Sequence, residues 1–262
     1  LKFADRLYRQ AGVSDEEVVQ TFKDLHKTVA GIHRAGVVIG DFNDLDIMVK
    51  NSEAYLIDAD SFQFGSFLCQ VFTEKFVDPL LCDKNERRPV LVKHHNADSD
   101  WYAFAVMLMQ SLIFVGPYGG VYKPKDKSKR VPHSARPLKR ITVFDPEVKY
   151  PKPATRYEVL PDDLLHYFHQ LFVEDKRGEF PDHLLEEINW TKCPKCGAIH
   201  AKSVCPSCSE KMDSVGCGSS FALGAMKAME WICGPQERII KALEVSAHYS
   251  AGVCGPFNVL ST

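Results

Sequence analysis

The sequence predicts an α+β protein, mainly helical, that closes with a small cysteine-rich module and a small α/β C-terminal segment. Three observations carry this. Residues 98 to 115, "DSDWYAFAVMLMQSLIFV", are nearly all apolar over a helical length, the composition of a helix at the centre of a domain. Residues 37 to 63, "VVIGDFNDLDIMVKNSEAYLIDADSFQ", place six carboxylates among short strand-like runs in 27 residues. Four of the nine cysteines fall in two close pairs, Cys193/Cys196 and Cys205/Cys208.

The elements follow in order. "LKFADRLYRQAGV" reads as a first helix. Residues 14 to 35 read as a second, with Ser14 and Glu17 in capping-box spacing and Val18, Phe22, Leu25, Val29 and Ile32 at helical intervals. Short strands around the acids follow, with a hairpin turn at "KNSEA". A looser segment runs from Ser61 to about Ala97, ahead of the apolar helix. "PDDLLHYFHQLFVED" and "PDHLLEEINW" read as two helices, each opened by proline. The cysteine pairs come next, then a Gly-rich patch, a helix at 235 to 249 and a strand-like "PFNVL".

Composition excludes more than it selects. A chain of 262 residues with 45% hydrophobic and 25% charged residues has ordinary globular usage. The net charge of −2 gives no global bias toward nucleic acid or membrane, and no apolar run approaches the ~20 residues of a spanning helix. An odd, scattered cysteine count argues against a secreted disulfide framework and for a reducing, cytoplasmic setting. The start at Leu1, where a methionine would be expected, suggests a fragment or a processed product.

The acids sit where strand-like runs end: "VVIG" stops at Asp41, "IMV" follows Asp46 and "AYLI" stops before Asp58. Carboxylates at strand ends in apolar surroundings suit a metal or polyphosphate site, although aspartates also serve as turn residues and helix caps. The order of motifs resembles the large lobe of protein kinases. "IHRAGVVIGDFNDLDIMV" resembles the catalytic loop, "YLIDADS" the metal-binding segment, "FVDPLL" the end of the activation segment and "SDWYAFAVML" the central helix.

That resemblance implies a kinase-like C-lobe over 1–190, with Asp41 as catalytic base toward a substrate hydroxyl and Asp46 and Asp58 holding magnesium–ATP. It also implies that Asp100 pins the catalytic-loop backbone. The sequence departs from the family at four places: Asp46 replaces the usual Asn, Ala59 and Asp60 replace Phe and Gly, and Leu80 replaces the Glu after Pro79. Asp46 keeps an oxygen ligand but adds negative charge beside the phosphates, which weakens nucleotide binding. No Gly-rich phosphate loop and no strand lysine precede residue 14, so the resemblance implies an inactive lobe when alone. The rival expectation is a pseudokinase scaffold that binds protein partners.

In "CPKCGAIHAKSVCPSC", C-x2-C, eight residues and C-x2-C give Cys193, Cys196, Cys205 and Cys208 the spacing of a structural zinc ribbon, assigned to 191–210. A redox role would need only one pair, and His200 is expected at the surface. "LLEEINWTKCPKCG" resembles bacterial kinase-like proteins with a zinc-ribbon tail after the large lobe.

"VGCGSSFALGAMKAM" with "PQERIIKALEVSAHYSAGVCGPFNVL", within 211–262, resembles the end of a proteasome-type Ntn hydrolase. The family's N-terminal threonine has no counterpart and Cys217 stands where serine is frequent, so no peptidase role carries over. The implied role is an assembly element packed on a partner. A phosphate-cradle reading of the glycines is weaker than a close-packing turn.

"KPKDKSKRVPHSARPLKR", residues 123 to 140, has eight Lys/Arg and one Asp. It offers a site for nucleic acid or an acidic substrate segment, but lacks aromatic residues for base stacking. A solvated, mobile loop between helices is the expectation.

Overall fold

The computed structural model describes residues 1–208. The segment resembling an Ntn hydrolase, the Gly-rich patch and the helix expected at 235 to 249 lie outside the described residues. The architecture is mixed, with helices and three two-stranded antiparallel sheets.

The chain opens with α1 (Arg6–Gln10), capped by Asp5, whose carboxylate accepts from the Leu7 amide at 2.8 Å. The expected second helix is α2 (Asp15–Arg34). Its capping box is complete: Ser14 Oγ accepts from the Glu17 amide at 3.1 Å, and Glu17 Oε2 accepts from the Ser14 amide at 2.8 Å. Such a cap contributes about 1 kcal/mol.

The apolar helix is α3 (Ala97–Ile113), capped reciprocally by Asn96 and Ser99, with every residue from Ser99 to Ile113 buried. α2 packs across it, Phe22 meeting Phe104 edge-to-face with ring centroids 5.4 Å apart. His26 seals the same contact, stacking on Trp101 at 4.7 Å and bonding the Phe180 carbonyl through Nε2 at 2.7 Å. Each such aromatic side chain contributes about 2–3 kcal/mol by burial alone.

β1 (Ile47–Lys50) and β2 (Glu53–Leu56) form the expected hairpin, with Ile47 opposite Leu56 and Lys50 opposite Glu53. Asn51 and Ser52 both take positive φ, 52° and 62°, the turn that matches strand twist in a two-residue hairpin. "VVIG" is not a full strand; it touches its neighbour through one bridge, Val38 to Gln63.

β3 (Val121–Tyr122) pairs with β4 (Val148–Lys149) around the basic stretch. That stretch is only partly solvated. Arg136 is 2% exposed and donates to the Gly119, Gly120 and Ile141 carbonyls at 2.8–3.3 Å, while Ala135 and Leu138 are buried beside it.

α4 (Asp162–Phe172) follows Pro161 as expected. The helix expected over 181–190 shortens to α5 (His183–Glu186), because Asn189 Nδ2 donates to the Glu186 and Glu187 carbonyls and ends it. β5 (Thr191–Lys192) and β6 (Ile199–His200) then frame the cysteine module. Among the described residues no helix is long and apolar enough to cross a membrane.

Candidate functional site

Asp41, Asp46 and Asp58 are brought to one place by the hairpin and its flanks. Asp46 leads into β1 and Asp58 follows β2, and the Ile57 amide donates to the Asp46 carbonyl at 2.8 Å, tying the two ends. Asp41 sits on a loop that runs between the end of α2 and β1. The loop is held from beneath by Asp100, which is fully buried and accepts from the Ile39 amide at 2.7 Å and the Gly40 amide at 3.1 Å. His33, on the last turn of α2, completes the clamp at 2.8 Å from Asp100 Oδ2. Complete burial raises the Asp100 carboxyl above its ordinary value against the pull of His33 and the two amides. The expected pinning of the loop by Asp100 is therefore present as geometry.

Gly40 is required where it stands. Its φ is +84°, and a Cβ there would lie 2.6 Å from the Ser61 carbonyl oxygen and 2.9 Å from Cys69 Cβ. Asp58 also holds a left-handed backbone, φ 68° and ψ 58°, which aspartate tolerates better than most residues.

The three carboxylates feel one another. Asp46 is buried, and desolvation first, then the charges of Asp41 and Asp58, push its pKa up to about 7. Asp58 rises to about 6, chiefly through a hydrogen bond shared with Asp60 and then through desolvation. Asn43 mediates: its Nδ2 donates to Asp46 Oδ2 at 2.5 Å and to the Asp41 carbonyl at 3.0 Å. Acids held close enough to raise one another's pKa form a site that a cation would relax. Among the described residues, however, the aspartates do not form a group of three ligand atoms as tight as the cysteines do.

Two contacts here are absent from any sequence pattern. The Asp41 carboxylate accepts from the Thr73 amide at 2.6 Å and the Thr73 hydroxyl at 3.2 Å. Past Thr73, Asp78 forms a buried, two-pronged pair with Arg177, both bonds 2.7 Å, and the guanidinium lies 4.9 Å over the Tyr102 ring. The only forewarning was the "VDPLL" string itself; Arg177 is 99 positions away.

The second site is the cysteine module. One sulfur from each of Cys193, Cys196, Cys205 and Cys208 lies within 4.8 Å of the others, and this cluster can hold a metal ion. Cys193 Sγ is 3.5 Å from Cys208 Sγ, and Cys196 Sγ is 3.6 Å from Cys205 Sγ. The backbone amides of Cys196 and Lys195 point at Cys193 and lower its thiol to about 6, favouring the thiolate that a metal needs. The knuckle is closed by bonds from the Cys193 amide to the Ala198 carbonyl and from the Gly197 amide to the Cys193 carbonyl, each 2.8 Å.

His200 is not at the surface as expected; it is fully buried. The reason is docking. The Ala201 amide donates to the Val159 carbonyl at 2.8 Å and Lys202 Nζ reaches Asp162 at 2.5 Å, so β6 is pressed onto the segment leading into α4. His200 Nδ1 accepts from the Lys202 amide at 3.3 Å, and the ring is separate from the four sulfurs that make the cluster.

Compared with known proteins, no family model matches this chain and no curated protein is similar to it.

Proposed function

We propose that residues 1–190 act as the large lobe of a protein Ser/Thr kinase-like phosphotransferase, with a structural zinc ribbon behind it. In this reading Asp41 accepts the proton of a substrate hydroxyl, while Asp46 and Asp58 hold magnesium against the phosphates of ATP. The observation that carries it is the conjunction at Asp41: a loop clamped through two backbone amides by Asp100, with two further acids at the ends of the adjoining hairpin whose pKa values are raised. A divalent cation would stabilise both acids in their charged forms. The zinc reading rests on the four converging sulfurs, a donor set that suits tetrahedral zinc.

In protein kinases a lysine on the phosphates and a loop over them come from a small lobe, and in this reading residues 1–190 supply neither. Calorimetry of the 262-residue chain with Mg-ATP should therefore show weak binding or none. Micromolar affinity would mean a nucleotide site of another design. With a small lobe supplied, Asp41→Asn should abolish transfer to a protein hydroxyl and leave Mg-nucleotide binding within about threefold. Undiminished phosphorylation by that variant would sink the assignment.

A scaffold that binds protein partners without catalysis is the second reading. It is favoured by the hold of Thr73 on both Asp41 oxygens and by the substitution of Asp46 for an uncharged ligand. Thr73→Val separates the two: it removes the hydroxyl bond to Asp41 and leaves the amide bond, so it should alter a transfer rate but leave a scaffold's partner affinity unchanged.

A further inference from the structure

The basic stretch is not used by the site just described, and the structure joins it to a second run of cations. Ser134 Oγ donates to the Arg87 carbonyl at 3.0 Å, and Lys139 Nζ donates to the Lys84 carbonyl at 3.0 Å. These bonds bring residues 84–88 beside 133–139, and the exposed turn of residues 127–130 precedes that segment in the chain. Lys84, Arg87, Arg88, Lys127, Lys129 and Arg130 are all exposed, and none has a carboxylate partner among the described residues. The one acid of the stretch, Asp126, is turned onto the amide and hydroxyl of Ser128 at 2.9 and 2.7 Å, and Glu86 is the exposed acid of the other run. Lysines that merely solvate a loop need no anchor. Here buried Arg136 ties residues 133–139 to three carbonyls, and that segment in turn bonds the carbonyls of Arg87 and Lys84.

The surface also leads toward Asp41. A cavity of about 630 Å³ is lined on one side by Glu74 and Lys75, directly after Thr73, and on the other by His133, Ser134 and Pro137. Thr73 itself is bonded to Asp41. The chain from Thr73 to Lys75 thus connects Asp41 to a cavity whose lining includes Ser134, the residue bonded to Arg87.

We infer that this surface binds an acidic segment of a protein substrate, on one side of the hydroxyl that the Asp41 site addresses. The inference rests on the phosphotransferase reading for the hydroxyl, and on charge complementarity for the acidic segment. Anchored, unpaired cations attract an acidic chain at a range set by ionic strength, about 10 Å at 0.1 M salt. A nucleic acid is disfavoured because no aromatic side chain is interleaved among these six cations for base stacking.

The probe is a fluorescein-labelled serine peptide with a run of glutamates on one side, titrated against the full 262-residue chain by anisotropy at low salt. It should bind, and the matching glutamine peptide should not. The triple variant Lys127→Glu, Lys129→Glu, Arg130→Glu should weaken binding at least tenfold, and Arg87→Glu with Arg88→Glu should do the same independently. Arginine for lysine at 127 and 129 should preserve it. All five side chains are exposed, and a melting curve checks each variant; glutamine replacements at the same positions carry the test for any that fail to fold. Unchanged affinity in the charge-reversed variants overturns the inference. So does tighter binding of oligothymidylate or of phosphatidylserine vesicles at equal charge. Peptide binding needs no phosphotransfer, so binding that is still without transfer once a small lobe is supplied counts against the phosphotransferase reading alone. Equal transfer to neutral and acidic peptides counts against this inference alone.

Discussion

The acidic site around Asp41 keeps its arrangement through the fold, whereas the cysteine module has almost no fold of its own. Around Asp41, a buried carboxylate, a helix-end histidine and the interior of α3 hold like charges near one another, and the acids respond with raised pKa values. Around the cysteines, two strands of two residues each, two knuckle bonds and a small contact with the rest of the fold through Val159 and Asp162 are the scaffold among the described residues. The contrast teaches which component is the organiser. In the first region the protein builds a place that a cation completes; in the second, the ion would build the place.

The largest effect expected from this contrast is on the cysteine side. Cys205→Ser should release the metal and raise hydrogen exchange across residues 191 to 208 by orders of magnitude, while exchange in α3 stays as it was. Elemental analysis of the parent chain should find about one zinc. A metal-free chain with full protection there would break the comparison.

Next in size is the clamp. Asp100→Ala strips the acceptor from two buried amides and from His33, and should cost about 3 kcal/mol in denaturant unfolding of the helical part. Zinc content should not change. If the metal left with the clamp, the two regions would be one cooperative unit.

Smallest is the pH effect at Asp46. Folded, it holds a proton up to about pH 7; unfolded, only to near 3.8. Between these values the folded state binds more protons, so stability falls as pH rises. In magnesium-free buffer Asp46→Asn should remove that slope and add on the order of 2 kcal/mol at pH 8, about half the full shift because water screens the site. Excess magnesium should flatten the parent profile in the same way. A slope untouched by either change would show that Asp46 neither carries the strain nor meets the ion.

What the sequence made legible was local. The capping box at Ser14, the apolar run of 98 to 115, the turn at Asn51–Ser52 and the cysteine spacing are each continuous in the chain, so α2, α3, the first hairpin and the sulfur cluster could be read directly. What stayed hidden joins distant positions. Thr73 finds Asp41 across 32 residues and Arg177 finds Asp78 across 99, and neither contact has a period or a spacing to betray it. His200 was misplaced for the same cause: a short ribbon alone would expose it, and only docking against Val159 buries it. The basic stretch reads as loop because its composition is polar, yet Arg136 spends its guanidinium inside on carbonyls of a neighbouring turn.

The closeness of Cys193 and Cys208 has a mechanical meaning. With an ion shared between their sulfurs, 3.5 Å apart, a pull on the chain beyond residue 208 does not travel through residues 194 to 207. It crosses the metal to Cys193 and enters the helical part at Trp190 and Ile188, the latter seated in the core. The loop between the two cysteines, 15 positions apart, is short-circuited, as slack is by a knot. With a metal bound, Cys208 would be joined to Cys193 by coordinate bonds, and a chelator would convert that coupling into a loose tether.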